Sequence, residues 1–543
     1  MKTDPRHWPI RINTDLATHY RQTGVWPNQT IAEFARHAVE RDPHRITHVF
    51  EGQSYRIEEL LMQAESLAAS LQNLGLITGD VIAFQLPNWV ETMVIDLAAA
   101  LLGLVVVPIV PIYREAEVAY ILADCGAKMV FVPGDYRGHH YLAMMAQLQQ
   151  QLPKLERVVS VRVYPAQSNS YEALVSNTAK LTQHEPVDPN SVKLIQYTSG
   201  TTGSPKGVLH SHNTLASAVM AAGQHWGLQA GETMLMASPV THVTGFGSGL
   251  ELPLLCDMRT VFMERWSAAE GVKIIERERV NISMGATPFL QELLTEAERT
   301  GNRLPSLRFY ACGGAAVPPS LIYKAHDILD NCMAFRVYGA SEVPLVTMGF
   351  VQENQLRLAA ETDGEVVSYE IKIVDDDGRK VSDGEDGEIL ARGPSLFLGY
   401  TDAKQNQDCF DEEGFFKTGD IGHLNQENAI VITGRKKDLI NRGGEKISAK
   451  EVEDLLHLHP AIEEAAVVAI PHERLGETVG VYVVLKPSKH FNFEEMVSHI
   501  VGAGVAKQKI PEKLEIVESF PRTASGKIRK DILRQKAKAV LNT

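Results

Sequence analysis

The stretch IQYTSGTTGSPKGVLHSH, residues 195–212, concentrates glycines, hydroxyl side chains and one lysine directly after an apolar lead-in. These residue types suit a phosphate, because glycines let the backbone approach an anion, and hydroxyl and ammonium groups donate to its oxygens. The stretch is not a Walker A loop, which reads GxxxxGK[ST]. Here Pro205 precedes Lys206 and Gly207 follows it, and proline has no backbone N–H to donate. Taken alone, the pattern also fits a surface turn.

Length and composition restrict the class of protein. The chain has 543 residues, which is too long for a single hydrophobic core and predicts two or three domains. Its net charge of −14 comes without a basic stripe, so nucleic acid is not the expected partner, because a phosphate backbone needs clustered lysine and arginine. The five cysteines form no CxxC pair and are interpreted as reduced thiols.

No segment predicts export or membrane insertion. The first residues lack the apolar stretch of a signal peptide. The longest apolar run, residues 97–107, is much shorter than the roughly 20 residues that span a bilayer. This run is interpreted as a buried helix that continues into a strand. We therefore expect a cytoplasmic protein without a transmembrane segment.

Helical and extended patterns alternate along most of the chain. Residues 56–76 have the apolar spacing of a helix, and DVIAFQLP at 80–87 reads as a short buried strand. Repetition of this alternation predicts an α/β protein with stacked βα units around largely parallel sheets. After about residue 360, Asp-Gly turns between short apolar runs predict an antiparallel sheet or a small barrel. The last part of the chain returns to helix and strand patterns and predicts a separate small domain.

The stretch YTSGTTGSPKGV closely resembles the phosphate-binding signature of the adenylate-forming enzymes, which include acyl- and aryl-CoA ligases, peptide-synthetase adenylation domains and firefly luciferase. Four further segments resemble other motifs of this family, in the same order along the chain. They are YGASE at 338–342, FKTGD at 416–420, GRKKDLINRGGEKIS at 434–448 and PRTASGKI at 521–528.

The resemblance implies the fold and the domain division of that family. A large N-terminal domain, residues 1–435, would hold stacked βα sheets and a β-barrel-like region at about 360–435. A small, mobile α+β domain, residues 436–543, would follow a hinge at about Lys437. The resemblance also implies the reaction: ATP converts a carboxylate to an acyl-AMP and pyrophosphate, and a thiol then displaces AMP. Mg²⁺ is the implied cofactor, and ATP and coenzyme A are the implied co-substrates.

The same resemblance assigns roles to individual residues. Glu342 would help to hold Mg²⁺, and Asp420 would accept hydrogen bonds from both ribose hydroxyls. The implied catalytic residues are Lys527, Glu342, His242, Thr198 and Lys437. The implied ATP- and AMP-binding residues are Thr198, Ser199, Gly200, Thr201, Thr202, Gly203, Lys206, Gly313, Gly314, Ala315, Tyr338, Gly339, Ala340, Ser341, Asp420 and Arg435.

The resemblance assigns different C-terminal residues to each of the two half-reactions. Lys527 would bridge the carboxylate and the α-phosphate during adenylation. The small domain would then rotate about Lys437 and present the segment with Gly443, Gly444 and Lys446 to the thiol.

The expected acyl pocket favours an apolar acid. Its implied lining is His242, Val243, Phe246, Gly247, Gly285, Ala286 and Gly339. Relatives that activate acetate close the pocket with a tryptophan at the position of Gly339, so a larger acid is expected here. Dihydroxybenzoate ligases carry an asparagine at the position of Val243, and a valine leaves a buried phenol without a partner. The sequence therefore favours a short- or medium-chain aliphatic acid or an alicyclic acid.

The acceptor and the assembly remain open at this stage. Coenzyme A is the first choice, because the chain has no carrier domain, and transfer to a separate acyl carrier protein is the alternative. Two other classes fit the motifs less well: a non-catalytic nucleotide binder and an enzyme that oxidises its adenylate. The oligomeric state is open as well, with a homodimer as one option.

Overall fold

Two seven-stranded sheets form the centre of the large domain. The computed structural model describes residues 2–3, 8–164, 169–177, 181, 186–198, 205–443, 445–522 and 527–541. The strands up to residue 337 are β1 (Lys2–Thr3), β2 (Pro9–Ile10), β3 (Ile46–Phe50), β4 (Gln53–Arg56), β5 (Val81–Phe84), β6 (Val105–Pro108), β7 (Met129–Pro133), β8 (Asp135–Tyr136), β9 (His139–His140), β10 (Arg157–Val161), β11 (Val192–Thr198), β12 (Lys206–Ser211), β13 (Thr233–Met236), β14 (Arg259–Phe262), β15 (Ile282–Gly285), β16 (Phe309–Gly313) and β17 (Met333–Val337).

Helices connect most of these strands. They are α1 (Thr14–Gln22), α2 (Ile31–Arg41), α3 (Ile57–Asn73), α4 (Glu91–Leu102), α5 (Glu115–Cys125), α6 (Tyr141–Gln149), α7 (Tyr171–Val175), α8 (His212–His225), α9 (Val243–Gly245), α10 (Leu252–Leu255), α11 (Ala268–Glu278), α12 (Thr287–Thr300) and α13 (Pro319–Ile328). A π-helix, Phe246–Glu251, lies between α9 and α10.

The sheets are largely parallel, as the alternation predicts. The first sheet has the order β10-β7-β5-β6-β11-β12-β20, where β20 is Gly399–Tyr400, and it is parallel from β10 to β11. The second has the order β17-β16-β15-β13-β14-β3-β4 and is parallel except for the β3–β4 pair. The predicted α/β fold is confirmed.

The main core lies between these two sheets. Apolar residues from the facing sides of β5 and β13 pack there with helices α3, α4 and α8. Helix α4 is buried almost all round, as expected for a helix that is apolar on every face. It ends where Gly103 takes a left-handed conformation, and β6 begins at Val105. The apolar run at 97–107 is therefore a buried helix that continues into a strand, as its sequence predicts.

An antiparallel sheet follows the two large sheets. Its strands are β18 (Glu370–Val374), β19 (Gly387–Arg392), β21 (Phe416–Leu424) and β22 (Ile430–Arg435), paired in that linear order, and helix α14 (Leu356–Glu361) precedes them. The structure describes all residues from 360 to 435, and over this range the sheet is open. Of the two predicted forms, sheet or small barrel, the structure shows the sheet.

The C-terminal part has a sheet and a core of its own. It contains β23 (Ile440–Arg442), β24 (Glu445–Ile447), α15 (Ala449–His457), β25 (Ile462–His472), β26 (Gly476–Leu485), α16 (Phe493–Gly502), β27 (Lys513–Ile516) and α17 (Lys530–Leu541). Ser448 caps α15 by accepting a hydrogen bond from the backbone of Glu451. The apolar core of this part runs from Ile440 to Leu514. The boundary at residue 435 stays a prediction.

Candidate active site

The phosphate-loop motif spans the connection between two paired antiparallel strands. β11 ends at Thr198 and β12 begins at Lys206, and these two residues are partners across the strands. The ammonium group of Lys206 lies 4.8 Å from the ring centre of Tyr400, so an aromatic face supports its positive charge. The other predicted loop residues lie outside the described part of the chain: Ser199, Gly200, Thr201, Thr202 and Gly203.

The YGASE motif is held from two sides next to this loop. His210 donates from Nε2 to the carbonyl oxygen of Ser341 at 2.6 Å, and Tyr400 donates to Oε1 of Glu342 at 2.8 Å. Burial lowers the pKa of His210 to about 4. Its imidazole is therefore neutral at pH 7 and donates from a single nitrogen. These two contacts fix the position of the Glu342 carboxylate.

Asp420 joins the ribose motif to the YGASE motif. Its Oδ2 accepts a hydrogen bond from the hydroxyl of Tyr338 at 2.7 Å, and its Oδ1 lies 2.7 Å from Nε of Arg435. Burial raises the pKa of Tyr338 well above its usual value, and the charge of Asp420 raises it further, so the phenol remains a donor. A carboxylate has about four lone-pair sites. Both oxygens of Asp420 can therefore still accept a ribose hydroxyl.

Lys527 lies in the electrostatic field of this group. Burial lowers the pKa of its ammonium group and Arg435 lowers it further, whereas Asp420 and Glu342 favour the charged form. Burial, with a smaller contribution from Lys527, lowers the pKa of His242 to about 4, so this imidazole is neutral at pH 7. Asp420, Arg435, Glu342 and His242 come from four separate segments and thus lie within electrostatic range of one lysine.

The remaining residues predicted to bind the nucleotide lie at the carboxyl ends of three neighbouring strands. Gly285, Gly313 and Val337 end β15, β16 and β17, and Gly313 is paired with Val337. Parallel sheets bind ligands at this edge. The predicted residues that follow these strand ends therefore share one edge of the second sheet: Gly314, Ala315, Tyr338, Gly339 and Ala340.

Comparison with known proteins identifies the family of this site. The sequence model described as AMP-binding enzyme matches residues 35–401, and the model described as AMP-binding enzyme C-terminal domain matches residues 451–527. The chain belongs to the family of AMP-binding enzymes. The prediction of an adenylate-forming acid ligase is confirmed at this level.

Relatives cover nearly the whole length of this AMP-binding enzyme. It is 36% identical to the medium-chain fatty-acid–CoA ligase of Escherichia coli (strain K12), over 97% of this chain and 94% of the relative. It is 31% identical to the vibriobactin-specific 2,3-dihydroxybenzoate-AMP ligase of Vibrio cholerae, over 99% and 98% of the two chains. Relatives that activate aliphatic and aromatic acids are therefore both similar to it.

Solved structures confirm the fold. The crystal structure of the anthranilate CoA ligase AuaEII in complex with anthranoyl-AMP has a TM-score of 0.86 and 22% identity, and covers 95% of this chain and 98% of that chain. ATP-bound MatB from Rhodopseudomonas palustris has a TM-score of 0.84 and 24% identity, and covers 94% and 100%. The predicted fold of the adenylate-forming family is thus the observed one.

The predicted hinge lies directly after Arg435. Lys437 is in a single 3₁₀ turn, Lys436–Asp438, between β22 and β23. Burial lowers the pKa of Lys437 and Arg435 lowers it further. Next to it, Asp438 forms an ion pair with Arg534 of α17. The turn therefore lies between Arg435, which is predicted to bind the nucleotide, and the C-terminal helix α17.

The predicted thioester-step residues lie on the hairpin of β23 and β24. Gly443 has a positive φ of 62° between the two strands, and Gly444 lies outside the described residues. Lys446 forms an exposed ion pair with Asp376, which follows β18 in the large domain. Lys446 is thus paired away from the residues around Lys527.

The predicted acyl wall is one continuous segment. His242 immediately precedes α9, and the π-helix follows from Phe246. Val243 is half-buried, whereas Phe246 is wholly buried in the main core. Gly247 lies close to α8, because a Cβ there would be 3.2 Å from Cγ2 of Val219.

The other side of the predicted acyl pocket is the end of β15 and the loop after β17. Ala286, which follows Gly285, is the N-cap of α12. A Cβ at Gly339 would lie 2.6 Å from the backbone nitrogen of Leu345 and 2.9 Å from the carbonyl oxygen of Val343. Close approach of two backbone segments therefore requires a glycine there. This is a second reason for Gly339, in addition to the pocket size predicted from sequence.

A magnesium ion fits the site only with the help of substrate. Among the described residues, no group of three or more His, Cys, Asp or Glu side chains could hold a metal ion. Glu342 contributes one half-buried carboxylate, of which one oxygen already accepts from Tyr400. Mg²⁺ commonly binds through one or two carboxylates, substrate phosphates and water. The chemistry of Glu342 fits that mode.

Two residues of the site were not predicted. Tyr400 contacts both the Lys206 ammonium and the Glu342 carboxylate, and His210 binds the carbonyl of Ser341. His210 lies inside the stretch 195–212, but only the pairing of β12 with distant segments shows its partner. Tyr400 lies in an apolar segment with no motif.

None of the helices in the described part of the chain is long and apolar enough to cross a membrane.

Proposed function

We propose that this AMP-binding enzyme is an ATP-dependent acyl-CoA ligase for short- or medium-chain aliphatic or alicyclic acids. The observation that carries the proposal is that Asp420, ion-paired with Arg435, lies with Glu342 and His242 within electrostatic range of Lys527. In this group Asp420 would bind the ribose and Glu342 would help to hold Mg²⁺. Lys527 would supply the positive charge, and the imidazole of His242 is neutral. The strong similarity to a medium-chain fatty-acid–CoA ligase supports the choice of acid.

The first step needs two anions to meet. A carboxylate oxygen attacks the α-phosphate of ATP, the bond to the bridging oxygen breaks, and pyrophosphate leaves from an acyl-AMP. Lys527 neutralises the developing charge, and Lys206 with the loop donors would hold the outer phosphates. Such preorganised charges are usually the largest source of rate enhancement. Mg²⁺, held by Glu342, would supply further positive charge on the phosphate oxygens.

The second step replaces AMP by a thiol. The sulfur of coenzyme A attacks the acyl carbon, and AMP leaves with the bonding electron pair of the carbon–oxygen bond. We propose that the domain after Lys437 rotates for this step, so that Lys446 leaves Asp376 and approaches the site. In the arrangement described here Lys527 is near the nucleotide residues, which suits adenylation.

The acyl side favours an apolar substrate. His242 is neutral at pH 7, because burial and Lys527 lower its pKa, and Val243 next to it has no polar atom in its side chain. A buried phenol at Val243 would lose a hydrogen bond, which costs about 1–3 kcal/mol. Each buried methylene of an aliphatic acid contributes about 0.8 kcal/mol to binding. A straight or alicyclic chain therefore fits better than a dihydroxybenzoate.

A second candidate is an acyl- or aryl-AMP ligase that passes its acyl group to a carrier protein. The 31% identity to a 2,3-dihydroxybenzoate-AMP ligase over nearly the whole chain is the observation in its favour. The two candidates share the first step and differ in acid and acceptor.

The test measures both half-reactions with a panel of acids. Pyrophosphate release and thioester formation are followed with ATP, Mg²⁺ and CoA, using acetate, hexanoate, octanoate, cyclohexanecarboxylate, benzoate and 2,3-dihydroxybenzoate. We expect CoA-dependent turnover that is highest with the apolar acids. Adenylate formation without thioester would favour the carrier-protein candidate, and equal activity with acetate and hexanoate would contradict the pocket argument.

A matched variant separates the two acid classes. Val243→Asn introduces the polar group that a phenol needs, at nearly the same volume. We expect this variant to lose activity with hexanoate and to gain activity with 2,3-dihydroxybenzoate, each by about tenfold, which corresponds to one hydrogen bond at a specificity site. No change in the ratio of the two kcat/KM values would show that Val243 does not face the acid.

A further inference from the structure

Three charged side chains meet in the core behind the predicted acyl wall. Nζ of Lys193 donates to Oδ2 of Asp96 at 3.1 Å and also binds the carboxylate of Glu251. The exposed fractions of the three side chains are 1%, 0% and 2%. Lys193 is on β11, Asp96 is on α4, and Glu251 is the last residue of the π-helix. The cluster therefore joins a strand, a helix and the predicted acyl wall.

Stability alone does not account for this cluster. The loss of hydration of buried ions can exceed their mutual attraction, and apolar residues of similar volume often serve as well or better. The second oxygen of Asp96, Oδ1, is buried and has no hydrogen-bond partner among the described residues. An arrangement of this kind is better suited to fixing the position of the elements that it joins.

A bulge directs Lys193 into the cluster. Leu194 packs into the core between the two large sheets, and Ile195 packs on the opposite face of the first sheet. Regular alternation would place Lys193 on the face of Ile195. The pairing of β11 with β12 shifts between Val192 and Leu194, and a bulge changes the direction of a side chain. Lys193 consequently faces Asp96 and Glu251.

The same strand holds the acyl wall at both of its ends. Gln196 donates from Nε2 to the carbonyl oxygen of Thr241 at 2.9 Å, directly before His242. Lys193 binds Glu251, where the π-helix ends. The ammonium group of Lys193 is also 5.4 Å from the ring centre of Phe246, the first residue of that helix. π-Helical turns are rare and frequent at functional sites.

We propose that the Lys193–Asp96–Glu251 cluster positions the π-helical wall of the acyl pocket and thereby sets the preferred chain length of the acid. The inference rests on the proposed function, since it requires the segment from His242 to Gly247 to line the acyl pocket. The three residues are positioning residues, because they act through the wall. A shift of this wall changes the pocket depth without changing the nucleotide residues around Asp420.

The main test uses Glu251→Gln, which keeps the shape and removes the charge. The ratio of kcat/KM for octanoate to that for butanoate is measured by pyrophosphate release. We expect this ratio to change by about tenfold, as for one methylene in a hydrophobic pocket, while KM for ATP stays constant. The matched control is Lys128→Met, which breaks the ion pair of Lys128 with the buried Asp80 at the amino end of the same sheet. It should alter stability and leave the ratio unchanged.

A second variant and a second readout protect the test against a folding defect. The apolar triple variant Asp96→Leu, Lys193→Met, Glu251→Met removes all three charges and leaves no ion unpaired. In both variants we expect faster amide hydrogen exchange at residues 246–251 in the enzyme without ligands. An unchanged ratio together with unchanged exchange would overturn the proposal. Absence of activity of the unaltered enzyme with every acid would refute the proposed function instead, and the exchange measurement would still test the positioning role.

Discussion

The proposed nucleotide side and the proposed acyl side of this enzyme use charge in opposite ways. Around Asp420 an enclosed carboxylate, 4% exposed, is paired with an arginine that is 47% exposed, so this pair is open to solvent on one side. Behind the proposed acyl wall the charges of Lys193, Asp96 and Glu251 are fully enclosed and are paired with one another. Charged groups that bind a ligand must remain accessible to that ligand. Charged groups that only position a segment of the protein can be fully buried. The predictions below test this division.

The largest effect is expected from Lys527→Ala. Loss of one preorganised cation should slow acyl-AMP formation by roughly 10²–10³-fold. The measurement is pyrophosphate release with hexanoate in the absence of CoA. Lys536→Ala, which changes an exposed lysine on the C-terminal helix α17, is the control and should retain full activity. An unchanged rate in Lys527→Ala would remove this lysine from the adenylation step.

The cluster behind the acyl wall should show itself in the pH dependence of stability. Burial raises the pKa of Glu251, Lys193 lowers it and Asp96 raises it, and together they bring it to about 7. His212 also faces Lys193, and burial keeps it neutral by lowering its pKa. Between the usual pKa of a glutamic acid and about 7, only the folded state holds the Glu251 proton. The free energy of unfolding should therefore fall as pH rises through this window, and stay constant above it.

Glu251→Gln should abolish this decrease in the free energy of unfolding with rising pH. The difference in free energy of unfolding between the variant and the unaltered enzyme should move in favour of the variant by up to about 3 kcal/mol from pH 5 to pH 8. Urea unfolding at a series of pH values measures it, with Glu473→Gln, which changes an exposed carboxylate, as the variant that should run parallel to the unaltered enzyme. A constant difference over the whole range would show that Glu251 is charged in both states.

A smaller effect is expected from Asp420→Asn. The asparagine keeps the shape but removes the counter-charge of Arg435 and one of the two acceptor oxygens. Hydrogen bonds to charged groups contribute about 1.5–3 kcal/mol, so kcat/KM for ATP should fall by about 10- to 100-fold. Asp386→Asn, which breaks the contact with His423 in the same sheet, is the control. A change in the preference among acids, with kcat/KM for ATP unchanged, would contradict the assignment of Asp420 to the nucleotide side.

Sequence reasoning reached the nucleotide side and not the support of the acyl side, for a physical reason. Asp420, Glu342 and Lys527 stand in dense local motifs, because a phosphate or a ribose is contacted by several consecutive residues. Lys193, Asp96 and Glu251 come from three distant segments and share no motif. A single lysine in an apolar strand looks like an exposed residue, and only the bulge at Val192–Leu194 directs it inward.

The fold was predicted in part. The alternation of helical and extended patterns predicted the parallel sheets, since each buried strand or helix has its own apolar pattern. The same pattern did not decide between an open sheet and a barrel after residue 360, because closure depends on pairing between the first and last strands. It also did not reveal Tyr400, whose two partners, Lys206 and Glu342, come from other parts of the chain.

The smallest effect is expected from Lys437→Pro, because it should change only one half-reaction. Proline fixes φ, so the 3₁₀ turn Lys436–Asp438 could not change conformation when the C-terminal domain rotates. Thioester formation from preformed acyl-AMP should fall by about tenfold, while adenylation stays within about twofold, as expected for a conformational step that gates only one reaction. The first half-reaction does not need the rotation, so its chain-length preference should not move. Lys437→Ala, which removes the side chain and leaves the backbone free, is the control. Equal loss of both half-reactions in the proline variant would mean that the turn supports the nucleotide site around Arg435, and that the hinge lies elsewhere.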